Sequence, residues 1–137
     1  MRVVGIIAEY NPLHNGHIYH LERARALSGA DYCIVVLSGN FVQRGEAACT
    51  DKFSRATWAL RAGADLVLEL PSVYAVAPAE RFAAGGVRTL HATGVVNDLA
   101  FGCEAPDLQM LYQISDIIAT EPPALPAGIK RHLSLGK

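Results

Sequence analysis

The chain has 137 residues, 51% of them hydrophobic, with 12 Lys and Arg against 13 Asp and Glu and a formal net charge of −1. That much apolar sequence builds a core and excludes a chain disordered throughout. The near-neutral balance excludes a strongly basic nucleic-acid-binding surface over the segment as a whole.

Apolar runs alternate with helical patterns. Residues 3–8 read as a strand and 16–27 as a helix, stopped at 28–31 by Ser28, Gly29, Ala30 and Asp31. Residues 32–37 read as a second strand, rich in Ile and Val. Residues 38–51 show no period and carry Gly39, Asn40 and Gly45, the composition of a long functional loop. A helix over 52–62 ends at Gly63, a third strand covers 66–70 before Pro71, and a helix covers 79–92 before Gly94. A short fourth strand at 99–101, a helix over 108–118, a proline-rich break at 121–126 and a helix over 129–135 complete the pattern. Short, wholly apolar strands between helices indicate a Rossmann-like α/β fold, a parallel sheet with helices on both faces. Ligands in such sheets bind beyond the carboxyl ends of the strands. The 11–17 turn, the 39–45 loop and Gly102 all fall at that edge.

Cys33, Cys49 and Cys103 are scattered, with no CxxC or metal spacing. Such usage fits a reduced compartment, with Cys33 as a small core residue. Glu9 interrupts the first apolar run too early for a secretory leader, and no run reaches the length of a membrane span. A cytoplasmic location is expected, with no membrane partner.

The chemistry concentrates where the first strand turns into the first helix. Backbone N–H groups at a helix N-terminus favour an anion. Gly16 allows close backbone approach, and His14 and His17 add donors near neutral pH. Attack on an α-phosphate builds negative charge that such donors stabilise, with no covalent nucleophile required. His14 and His17 are therefore the candidate catalytic residues. His14, His17 and His20 recur every third residue, but on a helix they fan out by about 120° in total, so no metal site is expected. Arg44 is a candidate for holding acetate or phosphate bidentately. Lys52 opens a helix against the dipole and is a candidate for reaching a triphosphate. For both, a solvated surface role stands as the alternative. Arg55 is read as a surface residue, Glu69 as a structural hydrogen-bond partner, and Trp58 and Leu60 as packing residues.

The spacing His14-x-Gly16-His17 matches the HxGH signature of the nucleotidyltransferase superfamily. The ordered strings GIIAEYNPLHNGHIYH, LSGNFVQRGEAA, DKFSRATWAL, GADLVLELP, AERFAAGGV and FGCE together resemble the bacterial tRNA(Met) cytidine acetate ligase family. Leu13, Ala47 and Cys103 stand where that family usually has Phe, Pro and Ser. The resemblance implies a HUP/nucleotidyltransferase-like fold and ATP-dependent acetylation of the wobble cytidine of elongator tRNA(Met) through acetyl-adenylate. It implies ATP, with Mg2+, as cofactor, and acetate and the tRNA as partners. The ATP contacts it implies are Ile7, Ala8, Glu9, Tyr10, Asn11, Pro12, Leu13, His14, Asn15, Gly16, His17, Ile18, Tyr19, His20 and Gly102. Residues 1–137 are then expected to form a nucleotidyltransferase-like ATP-binding domain, the N-terminal part or a shortened form of a longer enzyme, with the tRNA bound mainly elsewhere. A conventional nucleotidyltransferase acting on a small phosphorylated substrate and a non-catalytic nucleotide-binding domain are the alternatives.

Overall fold

The computed structural model describes residues 1–103, 107–122 and 124–134. Glu104 of the FGCE string, Pro123 of the expected break, and Leu135, Gly136 and Lys137 lie outside the described residues. The chain divides into two compact units, Met1–Gly102 and Cys103–Lys137.

The first unit holds strands β1 (Val3–Ala8), β2 (Tyr32–Ser38), β3 (Leu66–Leu70) and β4 (Asp98–Ala100) and helices α1 (Asn15–Ser28), α2 (Lys52–Arg61), α3 (Ser72–Ala75) and α4 (Ala79–Ala92). All pairings are parallel, in the order β3-β2-β1-β4. β1 pairs with β2 from Val3↔Tyr32 to Ala8↔Leu37, and with β4 from Val4↔Asp98 to Ile6↔Ala100. The first three strands thus step outward from β1, and the chain then crosses back to add β4 on its other side. That reversal is the topological switch point of a doubly wound sheet.

Period-two alternation divides the core between the two faces. Val4, Ile6, Cys33, Val35 and Leu37 point to one face, where Leu21 and Ala24 of α1 and Ala59 of α2 cover them. Val3, Ile34, Val36 and Leu70 point to the other and meet Ala75 of α3 and Leu90 of α4. The parallel sheet with helices on both faces is therefore as the alternation of elements indicated. Cys33 is fully buried, and that burial pushes its thiol up to about 11. Close approach of α4 to β1 depends on Gly86, where an added Cβ would meet Ile7 at 2.6 Å.

Local differences from the sequence pattern have local causes. The short helix α3 is missing from that pattern because four residues hold little more than one helical period. β4 lies one residue earlier than expected, leaving Phe101 60% exposed beyond its end. The long loop contains a 3-10 turn at Gln43–Gly45 and an isolated antiparallel bridge between Phe41 and Ala47. Leu60 does not pack as expected and is 46% exposed on α2.

The second unit holds α5 (Leu108–Thr120) and α6 (Ala124–Ser134). Asp107 caps α5 by accepting from the N–H groups of Gln109 and Met110 at 2.9 and 3.2 Å. α6 begins inside the expected proline-rich break, since Pro126 sits in its first turn, where no intrahelical N–H is needed. Among the described residues no helix is long and apolar enough to cross a membrane.

Gly86→Val is expected to lower the stability of the first unit by about 2 kcal/mol, because α4 would be pushed off Ile7. A urea melt followed by circular dichroism checks this.

Candidate active site

The β1–α1 turn is held by its own side chains. Tyr10 follows β1 with a φ of 45°, and its side chain is only 2% exposed. Its hydroxyl is buried with no partner among the described residues, and burial raises its pKa. The Asn11–Pro12 peptide is cis. His14 is the N-cap of α1, and its Nδ1 accepts the N–H of Gly16 at 3.1 Å. His17 returns the bond, its Nδ1 accepting the N–H of His14 at 3.2 Å. A Cβ at Gly16 would lie 3.0 Å from the His14 ring, so glycine is what lets the imidazole fold back over the turn. The two rings stack with centroids 3.7 Å apart.

This reciprocal cap fixes the tautomers. An Nδ1 that accepts a hydrogen bond carries no proton, so each neutral ring carries its proton on Nε2. Burial first, then His14 and His20, lower the pKa of His17, and burial lowers that of His20. His17 is therefore held as a neutral donor at pH 7. His20 is half-buried, and its Nε2 has no partner among the described residues.

The loop between β2 and α2 is tied to this turn. The Glu9 carboxylate accepts the N–H of Gln43 at 2.6 Å, and the Asn11 side-chain oxygen accepts the N–H of Cys49 at 2.6 Å. Arg55 makes the central connection, and here the surface reading fails: the residue is fully buried. Its guanidinium donates to the carbonyls of Glu9 at 2.6 Å, Ser38 at 3.0 Å and Thr50 at 3.3 Å, to the carbonyl of Gly39, and to the Ser38 hydroxyl at 3.3 Å. Burial lowers its pKa, opposed by Cys49, Glu9 and Asp51. Arg55 and Ala59, four residues apart, share the stripe of α2 that is buried, a placement that the spacing permits and that packing decides.

The remaining candidates are spread along the same edge. Lys52 pairs with Glu69 at 2.7 Å, and its backbone N–H meets the Asn40 side-chain oxygen at 3.3 Å. Glu69 thus has a polar partner, as the sequence required. Arg44 is exposed at the turn of the loop with a φ of 71°, and among the described residues its guanidinium makes no hydrogen bond or ion pair. Ile7 faces α4 through Gly86, whereas Tyr19 is 64% exposed. Gly102 lies two residues past the last β1–β4 pair, and a Cβ there would meet nothing within 4 Å. The HxGH turn and Gly102 thus flank the switch point, while Lys52 and Glu69 stand beyond β2, on the far side of β1. Among the described residues no group of three or more His, Cys, Asp or Glu is placed to hold a metal ion.

Two outcomes follow from this geometry. Arg55→Met is expected to cost about 3 kcal/mol or more in a denaturant melt, because several buried carbonyls lose their donor at once. Arg55→Lys should recover only part of it, lacking the planar fork. For His17 and His20 the folded state disfavours the proton, so the unfolded chain takes up more protons as pH falls below about 6.5. The thermal midpoint is accordingly expected to decline between about pH 7.5 and about pH 5.5, with a shallower decline in His20→Gln.

The HIGH Nucleotidyl Transferase family model matches residues 1–137. A tRNA(Met) cytidine acetate ligase from Caldanaerobacter subterraneus subsp. tengcongensis is 52% identical over 99% of this chain and 34% of its own length. Another so named, from Acetivibrio thermocellus, is 49% identical over 99% of this chain and 33% of its own. The crystal structure of Thermotoga maritima TmcAL bound with alpha-thio ATP superposes with a TM-score of 0.85 at 50% identity, covering 100% of this chain and 33% of that one. The chain thus spans about a third of the length of the curated relatives it matches. The match over all 137 residues, on a parallel sheet with the HxGH turn at its switch point, places the chain in the HIGH nucleotidyl transferase family.

Proposed function

We propose that this chain forms the ATP-binding part of a tRNA(Met) cytidine acetate ligase. The observation that carries the reading is the reciprocal histidine cap, which spends both Nδ1 atoms on backbone N–H groups and leaves the Nε2–H groups as the donors for a ligand. His14 and His17 hold the phosphates of ATP at the N-terminus of α1, and the backbone of the segment from Ile7 to His20, with Gly102, cradles the nucleotide, while the side chains of Pro12, Leu13 and Ile18 line a hollow on the α2 side of the turn. Mg2+ would come with the triphosphate and would offset its negative charge.

In the first step a carboxylate oxygen of acetate attacks the α-phosphorus, the bond to the β-phosphate oxygen breaks, and acetyl-adenylate and pyrophosphate form. In the second step the cytidine N4 amine attacks the acetyl carbonyl. AMP leaves, the amine loses a proton, and N4-acetylcytidine remains. The donors of the cap stabilise the charge that builds on the α-phosphate. Arg44, free of partners among the described residues, is the residue proposed to hold acetate or a phosphate. Lys52 acts on the triphosphate only by exchanging its bond to Glu69. The enzyme works in the cytoplasm. A net charge of −1 leaves few cations here for tRNA phosphates, so the main tRNA contacts belong to sequence such as fills the other two thirds of the longer relatives.

The test removes the imidazole donors while keeping the cap. Asn at an N-cap and Gln three residues on are capping residues in their own right. His14→Asn and His17→Gln are each expected to weaken ATP binding by about tenfold or more, as bonds to charged groups are worth roughly 1.5–3 kcal/mol. Gly102→Val should block ATP without loss of stability, since its Cβ has open space. Calorimetric titration with ATP reads all three. Unchanged affinity in both histidine variants overturns the phosphate assignment. Acetate-dependent pyrophosphate exchange separates the ligase from a conventional nucleotidyltransferase, and ATP binding without exchange marks a non-catalytic domain.

A further inference from the structure

A hollow of about 360 Å³ opens beside the HxGH turn, lined by Pro12, Leu13, Ile18, Trp58, Arg61 and Ala62. We propose that it receives one unpaired nucleobase of an RNA, stacked against Trp58 with Arg61 at its rim. The inference rests on the ligase reading above for its substrate and adds where the RNA meets this chain.

The chemistry of the lining selects the occupant. Five of its residues are apolar, the sixth is a cation, and there is no acid among them. Trp58 is the only tryptophan of the chain and is half-buried. Arg61 is exposed, and among the described residues its guanidinium makes no hydrogen bond or ion pair. Indole faces and guanidinium planes are the surfaces on which splayed-out bases stack, and the cation also meets the phosphate that follows the base. Six lining residues are far fewer than the roughly 20–30 a side of a stable protein interface, which favours one planar ring over a protein partner.

Position favours RNA over the adenine of ATP. Pro12 and Leu13 directly precede His14, and Ile18 lies one helical turn after it, so the hollow is within about 5.4 Å of rise from the phosphate-facing cap. It lies between α1 and α2, on the β2 side of the switch point, whereas Gly102 lies on the β4 side. A base seated there brings its strand to the place where an acetyl-adenylate is presented to an amine.

Trp58 reports on its own occupancy. Because the main tRNA contacts lie elsewhere and binding to this chain alone is weak, the 137-residue chain is titrated at low salt and up to a large molar excess with an RNA hairpin bearing an unpaired anticodon loop, with a fully paired RNA of equal length, and with ATP, while tryptophan emission is followed. The hairpin is expected to quench emission saturably by about half through stacking, and the duplex and ATP to leave it unchanged. Arg61→Gln should weaken hairpin binding about fivefold while calorimetric ATP affinity stays the same. With labelled hairpin and anisotropy, Trp58→Ala should weaken binding by about fivefold or more and Trp58→Phe, which keeps a ring, by less. Should Trp58→Ala not fold, Arg61→Gln and Trp58→Phe carry the test. Quenching by the duplex or by ATP, hairpin binding without quenching, or no hairpin binding at all each overturns the proposal. Loss of the RNA signal with ATP binding intact and dependent on His14 and His17 leaves the nucleotide site standing and removes this hollow alone. A retained signal without ATP binding does the reverse.

Discussion

The buried cation Arg55 ties together the edge of the sheet that carries the HxGH turn. In a parallel sheet every strand ends with its carbonyl groups at the same side, and their partial negative charges repel an anion. Arg55 takes up the carbonyls of Glu9, Ser38, Gly39 and Thr50 with one planar guanidinium. A lysine has neither the number of donors nor the fork geometry for this. Desolvating the charge is costly, and the bonds to four carbonyls and a hydroxyl offset that cost. The ends of β1 and β2 and the start of α2 are consequently one rigid piece, and the HxGH turn is built on it.

On that base the histidine cap separates two functions that a serine or asparagine cap combines. Nδ1 of each ring completes the helix terminus, and Nε2 remains for a ligand. Partial burial, then the neighbouring His14 ring stacked at 3.7 Å and His20, disfavour protonation of His17. Two protonated rings in that stack would repel one another. The Lys52 charge further along the edge is matched by Glu69.

The three positions at which the chain departs from the family it resembles fall in different settings. Ala47 sits opposite Phe41 in the loop bridge, where the neighbouring hydrogen bonds run from Val42 to Glu46 and from Ala48 to Asn40. The N–H of residue 47 makes none of them, so a proline there loses nothing. Leu13 lines the hollow beside Trp58, where a smaller side chain than phenylalanine leaves more room. Cys103 lies past the boundary of the first unit, next to Gly102.

Strand and helix alternation was legible because the strands of the first unit are short and mostly apolar and the segments between them are bounded by residues such as Gly29, Asp51, Gly63 and Gly94. The β1–α1 turn was legible because glycine and two histidines have few other reasons to meet at a helix start. Those are local properties, set within a few residues of backbone geometry and side-chain chemistry. Other features depended on contacts between residues far apart in sequence. Arg55 looked like a surface charge until Glu9, 46 residues away, and Ser38, 17 residues away, were brought to its guanidinium. Leu60 looked like a core residue until α2 turned it outward. The sequence by itself determined most of the elements, the parallel α/β class and the place of the HxGH turn, since these follow from local pattern. Only the tertiary structure decided that β4 returns beside β1, which makes the turn a cleft, and that a charged residue forms its foundation, because strand order and burial are fixed by packing across the whole sheet.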